Sequence, residues 1–418
     1  MASPFEDSFV DPLYGEVRLE PPIGDLATRP LLQRLRFVRL SNIDSLASPG
    51  ISNISRYEHA LGTSILAAST SFANRVAPRI RIPFIATALI HDTGITPFGH
   101  LMEEAFRYSD VDYHHENVWS VLLEERSDKE LGGVNLQLYL GFQSGLREWA
   151  EKFFGIDEGA VIEEIAKGIR GKGRFGSAIV GEMDLDNLDN VSRAAFHIGL
   201  PLDRRLPLRI AACLEDVSED GAVFSSEAVG PIGDWLLLRE QVYSRFMLPR
   251  GDFSGKLMLL FSMVQALKLG VLTAKNWNYT DAQLLDTLSN AQQDEISTTA
   301  RRWLTADLWD ISDLIWFEGR IPSLSALNPY AAELSSALSR PCFAYRIKDK
   351  RKRKVELRLS SRETVTLGEN PRLWLFGVGS PLKKPFTAKE NKTIVEVARG
   401  HFDAELAFSS EHSGSLFA

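Results

Sequence analysis

His91-Asp92-Thr93-Gly94-Ile95-Thr96-Pro97-Phe98-Gly99-His100-Leu101-Met102-Glu103 decides how this chain reads. It follows an apolar run, Ile82 to Ile90, with the character of a buried helix. Burying a carboxylate there costs on the order of several kcal/mol unless it is paired or bound to a cation. Imidazole and carboxylate together suit a borderline to hard divalent ion: Mn, Mg, Fe, Co, Ni or Zn. Two adjacent ligands do not complete a coordination shell, so others must come from elsewhere in the chain. Upstream, Arg56-Tyr57-Glu58-His59-Ala60-Leu61-Gly62 places a histidine at the start of an apolar helix. Downstream, Asp184-Leu185-Asp186-Asn187-Leu188-Asp189 brings three acids on a helical stretch. Asp186 and Asp189 lie three apart and can share a face, whereas Asp184 points elsewhere.

Outward from these segments most of the chain has helical character. Leu31 to Leu40 interleaves Leu and Val with arginines at helical spacing. Tyr57 to Val76 and Pro83 to His91 are predicted helices, the second started by Pro83 and ended by Gly94. His115 to Leu123, Asp157 to Ile169 and Asp184 to Gly199 continue the pattern. Leu257 to Val271 is apolar enough to be a buried helix, and Ala282 to Leu304 divides into one or two amphipathic helices. The character changes near Pro341. Val355 to Leu359, Arg372 to Val378 and Thr393 to Val397 are predicted strands. The expected fold is mostly α: a helical domain over residues 1–340 and a small α+β appendage over 341–418. At that boundary lies the run Lys348 to Lys354, six basic residues and one aspartate. It reads first as a solvated hairpin or loop, and second as an anion-binding patch at a subunit or regulatory site.

The chain has 418 residues, 44% hydrophobic and 24% charged, an ordinary globular balance. Its two cysteines, Cys213 and Cys342, have no spacing that suggests a disulfide framework. No stretch of about 18 apolar residues is present, and the acidic N-terminus lacks a signal pattern. A soluble cytoplasmic protein is therefore expected. The net charge of -8 argues against general nucleic-acid coating but not against a local phosphate site. Tyr113-His114-His115-Glu116 is not HExxH, which excludes a zincin reading. Gly171-Lys172-Gly173-Arg174 is too short for a phosphate-cradling Walker loop.

His59, then His91-Asp92, then a late aspartate resembles the H…HD…D signature of the HD phosphohydrolase superfamily. Further segments resemble the dNTP triphosphohydrolases in it, in the same order along residues 11–199. Asp11-Pro12-Leu13-Tyr14-Gly15-Glu16-Val17-Arg18-Leu19 is similar to their opening DPxxGxxxL, and Gln33-Arg34-Leu35-Arg36 to their QRLR. Arg56 to Gly62 is similar to RFEHSLG, and Asp184 to Arg193 to the DxDxxDYxxR helix. The resemblance implies an HD-domain helical fold and metal ligation by His59, His91, Asp92 and Asp186. It implies contacts to the nucleotide from Gln33, Arg56, Asn190 and Arg193, and catalytic positions at His100, Glu103 and His115. In the family, water attacks the α-phosphorus and triphosphate leaves as a unit.

Pro97-Phe98-Gly99-His100-Leu101-Met102-Glu103 looks like the bacterial dGTP triphosphohydrolase branch, which lacks the histidine that another branch carries at the position of Ile95. Asn190 and Ala194 stand where the family has a sugar-contacting tyrosine and an aspartate. The expected activity is hydrolysis of deoxynucleoside triphosphates to deoxynucleoside and triphosphate, in nucleotide-pool control or antiphage defence. The alternatives are an HD phosphodiesterase or nuclease, and a non-catalytic nucleotide sensor. A dNTP substrate, a nucleotide activator and a homo-oligomer are the implied partners; no membrane is expected, and nucleic acid is not indicated.

Overall fold

The computed structural model describes residues 8–41, 45–117 and 145–409. The fold is mostly α, with a strand-containing C-terminal region. Among the described residues no helix is long and apolar enough to cross a membrane.

Two hydrophobic cores organise the chain. The first gathers the helices Arg56–Ala68, Pro78–Ile90, Glu158–Ile169, Leu185–His197 and Val229–Met247. The second gathers His100–Tyr108, Arg250–Lys268 and Leu327–Ala337 against an antiparallel sheet. In that sheet the strand Leu373–Ser380 pairs with Phe343–Lys348 on one side and with Asp310–Ile311 and Ile315–Gly319 on the other. Ala404–Ser409 pairs in turn with Ile315–Gly319. A smaller sheet belongs to the first core, where Gly221–Phe224 pairs in parallel with Val355–Leu359. Strand pairing thus joins residues on either side of position 340 in both sheets.

Several predicted boundaries shift for identifiable reasons. The helix before His91 begins at Pro78 rather than Pro83. Pro78 takes the first helical position, where a missing N–H costs nothing. Pro83 is carried inside, and burial of Phe84, Ile85, Leu89 and Ile90 at about 1.5–3 kcal/mol each outweighs its cost of about 3 kcal/mol. The Tyr57 to Val76 stretch breaks at Thr70, whose side chain accepts from the Ala73 amide and starts a second helix, Ser71–Arg75. Leu31 to Leu40 holds only a short helix, Pro30–Gln33, and a 3-10 turn, Arg34–Phe37.

Thr393 to Val397 is not a strand. It lies in the helix Ala388–His401, opened by a reciprocal cap between Thr387 and Glu390. Ile394 and Ala398, four apart, are its buried face. Ala282 to Leu304 is two helices, Asp281–Ser289 and Asp294–Leu304. Of the predicted helix His115 to Leu123, His115–Asn117 is a single 3-10 turn and the rest lies outside the described residues, as does the chain beyond Ser409.

Candidate metal centre

The helix Arg56–Ala68 is capped by Ser55, which accepts from the Glu58 amide, and this fixes His59 in its first turn. His59 Nδ1 lies 2.7 Å from Asp189 Oδ2, leaving Nε2 to face Asp186 Oδ1 at 3.0 Å. At the end of the Pro78–Ile90 helix, His91 Nδ1 lies 2.8 Å from the Ala88 carbonyl, so it carries the proton. His91 Nε2, buried and without a hydrogen-bond partner, is 3.6 Å from both Asp186 Oδ1 and Asp92 Oδ2. The ligand atoms of His59, His91 and Asp186 all lie within 4.8 Å of one another. Asp92 stands at the edge of this group, with Oδ2 held 2.5 Å from Arg56 Nη1.

The charges show what the group lacks. Burial pushes both imidazoles down, yet Asp92 and Asp186 lift His91 to about 9, and Asp186 and Asp189 raise His59. Asp186 is held well below its ordinary value, against burial, by the two histidines. The site is thus short of positive charge, and an orphaned imidazole nitrogen faces its centre. A divalent ion fits that donor set, with His59, His91, Asp186 and a reoriented Asp92 able to hold it.

Behind the group lies a buried ionic network. Arg193, fully buried, donates to both oxygens of Asp189 at 2.9 Å, and its guanidinium also reaches Asp11 at 3.1 Å and Glu58 at 2.6 Å. Tyr14 donates to Asp189 at 2.8 Å, and Asp11 accepts from the amides of Leu13 and Tyr14. The opening DPLYG segment therefore buttresses the carboxylate that orients His59, a support that raises ligand basicity. Gly62 is what lets the helices meet here: a Cβ on it would lie 2.1 Å from Arg193 Nη2 and from Asp189 Oδ1.

A second cluster adjoins the first. His100, Glu103 and His115 bring their ligand atoms within 4.8 Å of one another, and His115 Nδ1 lies 2.8 Å from Glu103 Oε1. His115 Nε2 is 3.9 Å from Asp92 Oδ1, so the clusters touch. Burial, with help from the Arg56 and His115 charges, pushes His100 down to about 4 against Glu103, so it is neutral at physiological pH. Glu103 lifts His115 to about 9 in spite of burial.

The turn that delivers His100 is strained, with Phe98 at φ 55° and Gly99 at φ 58°. Asp281 holds it by accepting from the Phe98 amide at 2.7 Å, while Arg39 pairs with Asp281 and lies over the Phe98 ring. A Cβ at position 99 would come within 2.8 Å of Arg56 Nη2. Arg34, of the QRLR segment, is spent on the carbonyls of Thr93, Ile95 and Tyr279 and braces the loop between the clusters.

Above the centre opens a cavity of about 530 Å³, lined by Arg56, His100, Asp186, Asn190 and Ala194 among others. Gln33 and Arg193 are not brought to it: the Gln33 amide donates to the Ala27 carbonyl, and Arg193 is fully enclosed. Sequence reasoning placed neither Arg239 nor Lys256 in the site, yet both line the cavity, as does the basic run. That run was the one visible signal; isolated basic residues on two long helices carry none.

Comparison with known proteins finds resemblances at low identity. No profile of a known protein family matches the chain. It is 25% identical over 257 residues to deoxynucleoside triphosphate triphosphohydrolase SAMHD1 of Danio rerio, covering 57% of this chain and 41% of that protein. The Homo sapiens protein of the same name is 25% identical over 255 residues, 56% of this chain and 40% of its own length. An uncharacterized protein of Methanocaldococcus jannaschii is 23% identical over 237 residues, 56% of this chain and 44% of its own. The chain thus spans less than half the length of these three relatives. A solved phosphohydrolase structure from Bacteroides thetaiotaomicron shares the fold, with a TM-score of 0.58 at 16% identity over 90% of this chain and all of that one. The chain resembles HD-superfamily proteins, dNTP triphosphohydrolases among them.

Proposed function

We propose that this protein is a metal-dependent HD phosphohydrolase that cleaves deoxynucleoside triphosphates to deoxynucleoside and inorganic triphosphate. The observation that carries the reading is the unpartnered Nε2 of buried His91, facing Asp186 beside a neutral histidine and a histidine–glutamate pair. His59, His91, Asp92 and Asp186 are the proposed ligands. A bound divalent ion supplies Lewis acidity toward a phosphoryl oxygen and toward water. Glu103 orients His115, and His100 beside them is the proposed proton-handling group at the reacting phosphate. Arg56, already holding Asp92, lines the cavity and would neutralise developing charge there.

The test is product analysis by ion exchange, with Mn or Mg and each dNTP singly and mixed, beside an Asp92→Ala control. Deoxynucleoside and triphosphate from the native chain, with a silent control, support the reading. Mixed substrates also test the proposed nucleotide activator, and light scattering in their presence tests the proposed homo-oligomer. Monophosphate as the only product would favour the phosphodiesterase reading, which Asn190 and Ala194 keep open by removing the expected sugar contacts from the cavity wall. His100→Ala is expected to lower turnover by about 10²–10⁴-fold while metal content is unchanged. Undiminished turnover in that variant would remove His100 from the mechanism.

A further inference from the structure

His59 stands on a helix of the first core and His100 on a helix of the second, so their relative placement depends on what ties the two bodies together. The segment Tyr279-Thr280-Asp281 lies at that seam. Asp281 opens the helix Asp281–Ser289, and a reciprocal cap between Thr280 and Gln283 fixes its start. Leu284 and Leu288 of this helix are buried in the second core, whereas Trp277, just before the segment, is buried in the first.

The segment reaches both clusters. The Tyr279 carbonyl accepts from Arg34 Nη1 at 2.9 Å, and the same guanidinium donates through Nη2 to the carbonyls of Thr93 and Ile95. Asp281 Oδ1 accepts from the Phe98 amide at 2.7 Å. Asp281 Oδ2 accepts from the Arg39 amide at 3.0 Å and from Arg39 Nε at 2.9 Å. Arg39 in turn bridges to Ser55, the cap of the helix that carries His59. Flanking backbone bonds at 2.8 Å, Leu40 to the Ile54 carbonyl and Arg56 to the Val38 carbonyl, continue that pairing. One carboxylate therefore holds the turn before His100 with one oxygen and the approach to His59 with the other.

That turn needs holding. Phe98 at φ 55° is a bulky side chain in the left-handed region, a conformation that persists only where its surroundings over-determine it. Arg39 Cζ lies 4.4 Å from the centre of the Phe98 ring, and Trp303 meets the ring edge-on at 5.7 Å. These contacts fix the side chain, whereas Asp281 fixes the Phe98 backbone. Without it the backbone relaxes toward negative φ, and the direction in which His100 enters its helix changes. We infer that Asp281 is a positioning residue for His100, holding the strained turn against the Arg39–Ser55 pairing. Its effect on turnover rests on the proposed phosphohydrolase reading; its hold on the turn does not.

The experiment compares Asp281→Ala, which removes both acceptors, with Asp281→Asn, which keeps an oxygen for the Phe98 amide. Both are made in the full chain, with thermal unfolding as the folding check. Asp281→Ala is expected to lower kcat by about 10–100-fold, with KM within about twofold of native and divalent-ion content unchanged. Asp281→Asn is expected to recover most of that loss. Arg39→Gln, which loosens the same carboxylate from its other side, replaces Asp281→Ala if that variant does not fold, and is expected to lower kcat about tenfold in the same pattern. Native kcat in the variant, a loss matched by loss of the divalent ion, or no recovery with asparagine would each overturn the inference. If the native chain turns over no dNTP, the activity reading fails and amide exchange still decides. Exchange at Phe98 about a hundredfold faster in Asp281→Ala, with the Pro78–Ile90 helix unchanged, supports the positioning role, and unchanged exchange at Phe98 overturns it.

Discussion

Asp186→Asn is expected to reduce turnover by about a thousandfold or more and to strip the bound divalent ion, with little effect on folding. Asp186 Oδ1 lies 3.0 Å from His59 Nε2 and 3.6 Å from His91 Nε2, so it closes the donor group from the cavity side. Asparagine keeps the shape but removes one of the charges that lift the imidazoles, the one shared by both, and with it a direct attraction for a cation. The side chain is 32% exposed and sits in the first turn of the helix Leu185–His197, so losing its charge costs about 0.3–1 kcal/mol of helix stability. The measurements are metal content by mass spectrometry after dialysis and initial rate with saturating metal. A variant that keeps both its metal and its rate would show that Asp186 is not a ligand.

The largest expected stability effect lies behind the centre. Arg193→Met should destabilise the protein by about 3–5 kcal/mol, because it strands buried carboxylates that no longer have a cation. Asp189 is 0% and Asp11 2% exposed, and both face Arg193. Burial raises Asp189, and Arg193 and His59 together bring it below its ordinary value. Without Arg193, Asp189 would compete for a proton and loosen its hold on His59 Nδ1. Urea unfolding of the metal-free protein, at pH 7 and unchanged slope, is the measurement. A loss under about 1 kcal/mol would mean that the network relaxes or admits water, and that the arginine is not what holds it.

The grouping of His59, His91, Asp92 and Asp186 was legible in the sequence because these residues lie in short motifs at helix starts and ends. His91-Asp92 ends one helix, His59 begins another, and Asp186 and Asp189 share a face of a third. Asp184 caps its helix, and Asp189 orients His59. What was illegible is partner choice among buried charges. Arg193 has the residue type of a phosphate binder, and only the tertiary fold turns it toward Asp11, 182 positions away. Gln33 is likewise taken up by a carbonyl of a neighbouring short helix. In Thr393 to Val397, β-branched residues outweighed the Thr387–Glu390 cap and the four-residue spacing of Ile394 and Ala398, which were the better signals. The basic run was visible as composition, but its position over the cavity depends on two strands that join different sheets.

That bridging segment has a mechanical consequence. Its ends are sewn into separate hydrophobic bodies, so it behaves as a strap across a joint. Lys350 and Arg353 line the cavity together with Asp186 and His100, so opening the joint would move their charges relative to those groups. A ligand held beneath the strap resists the opening, so occupancy and stiffness of the joint become linked quantities. Amide exchange in Val355–Leu359, the strand that anchors the strap in the first body, would then slow when the cavity is filled, even though that strand contributes no lining residue.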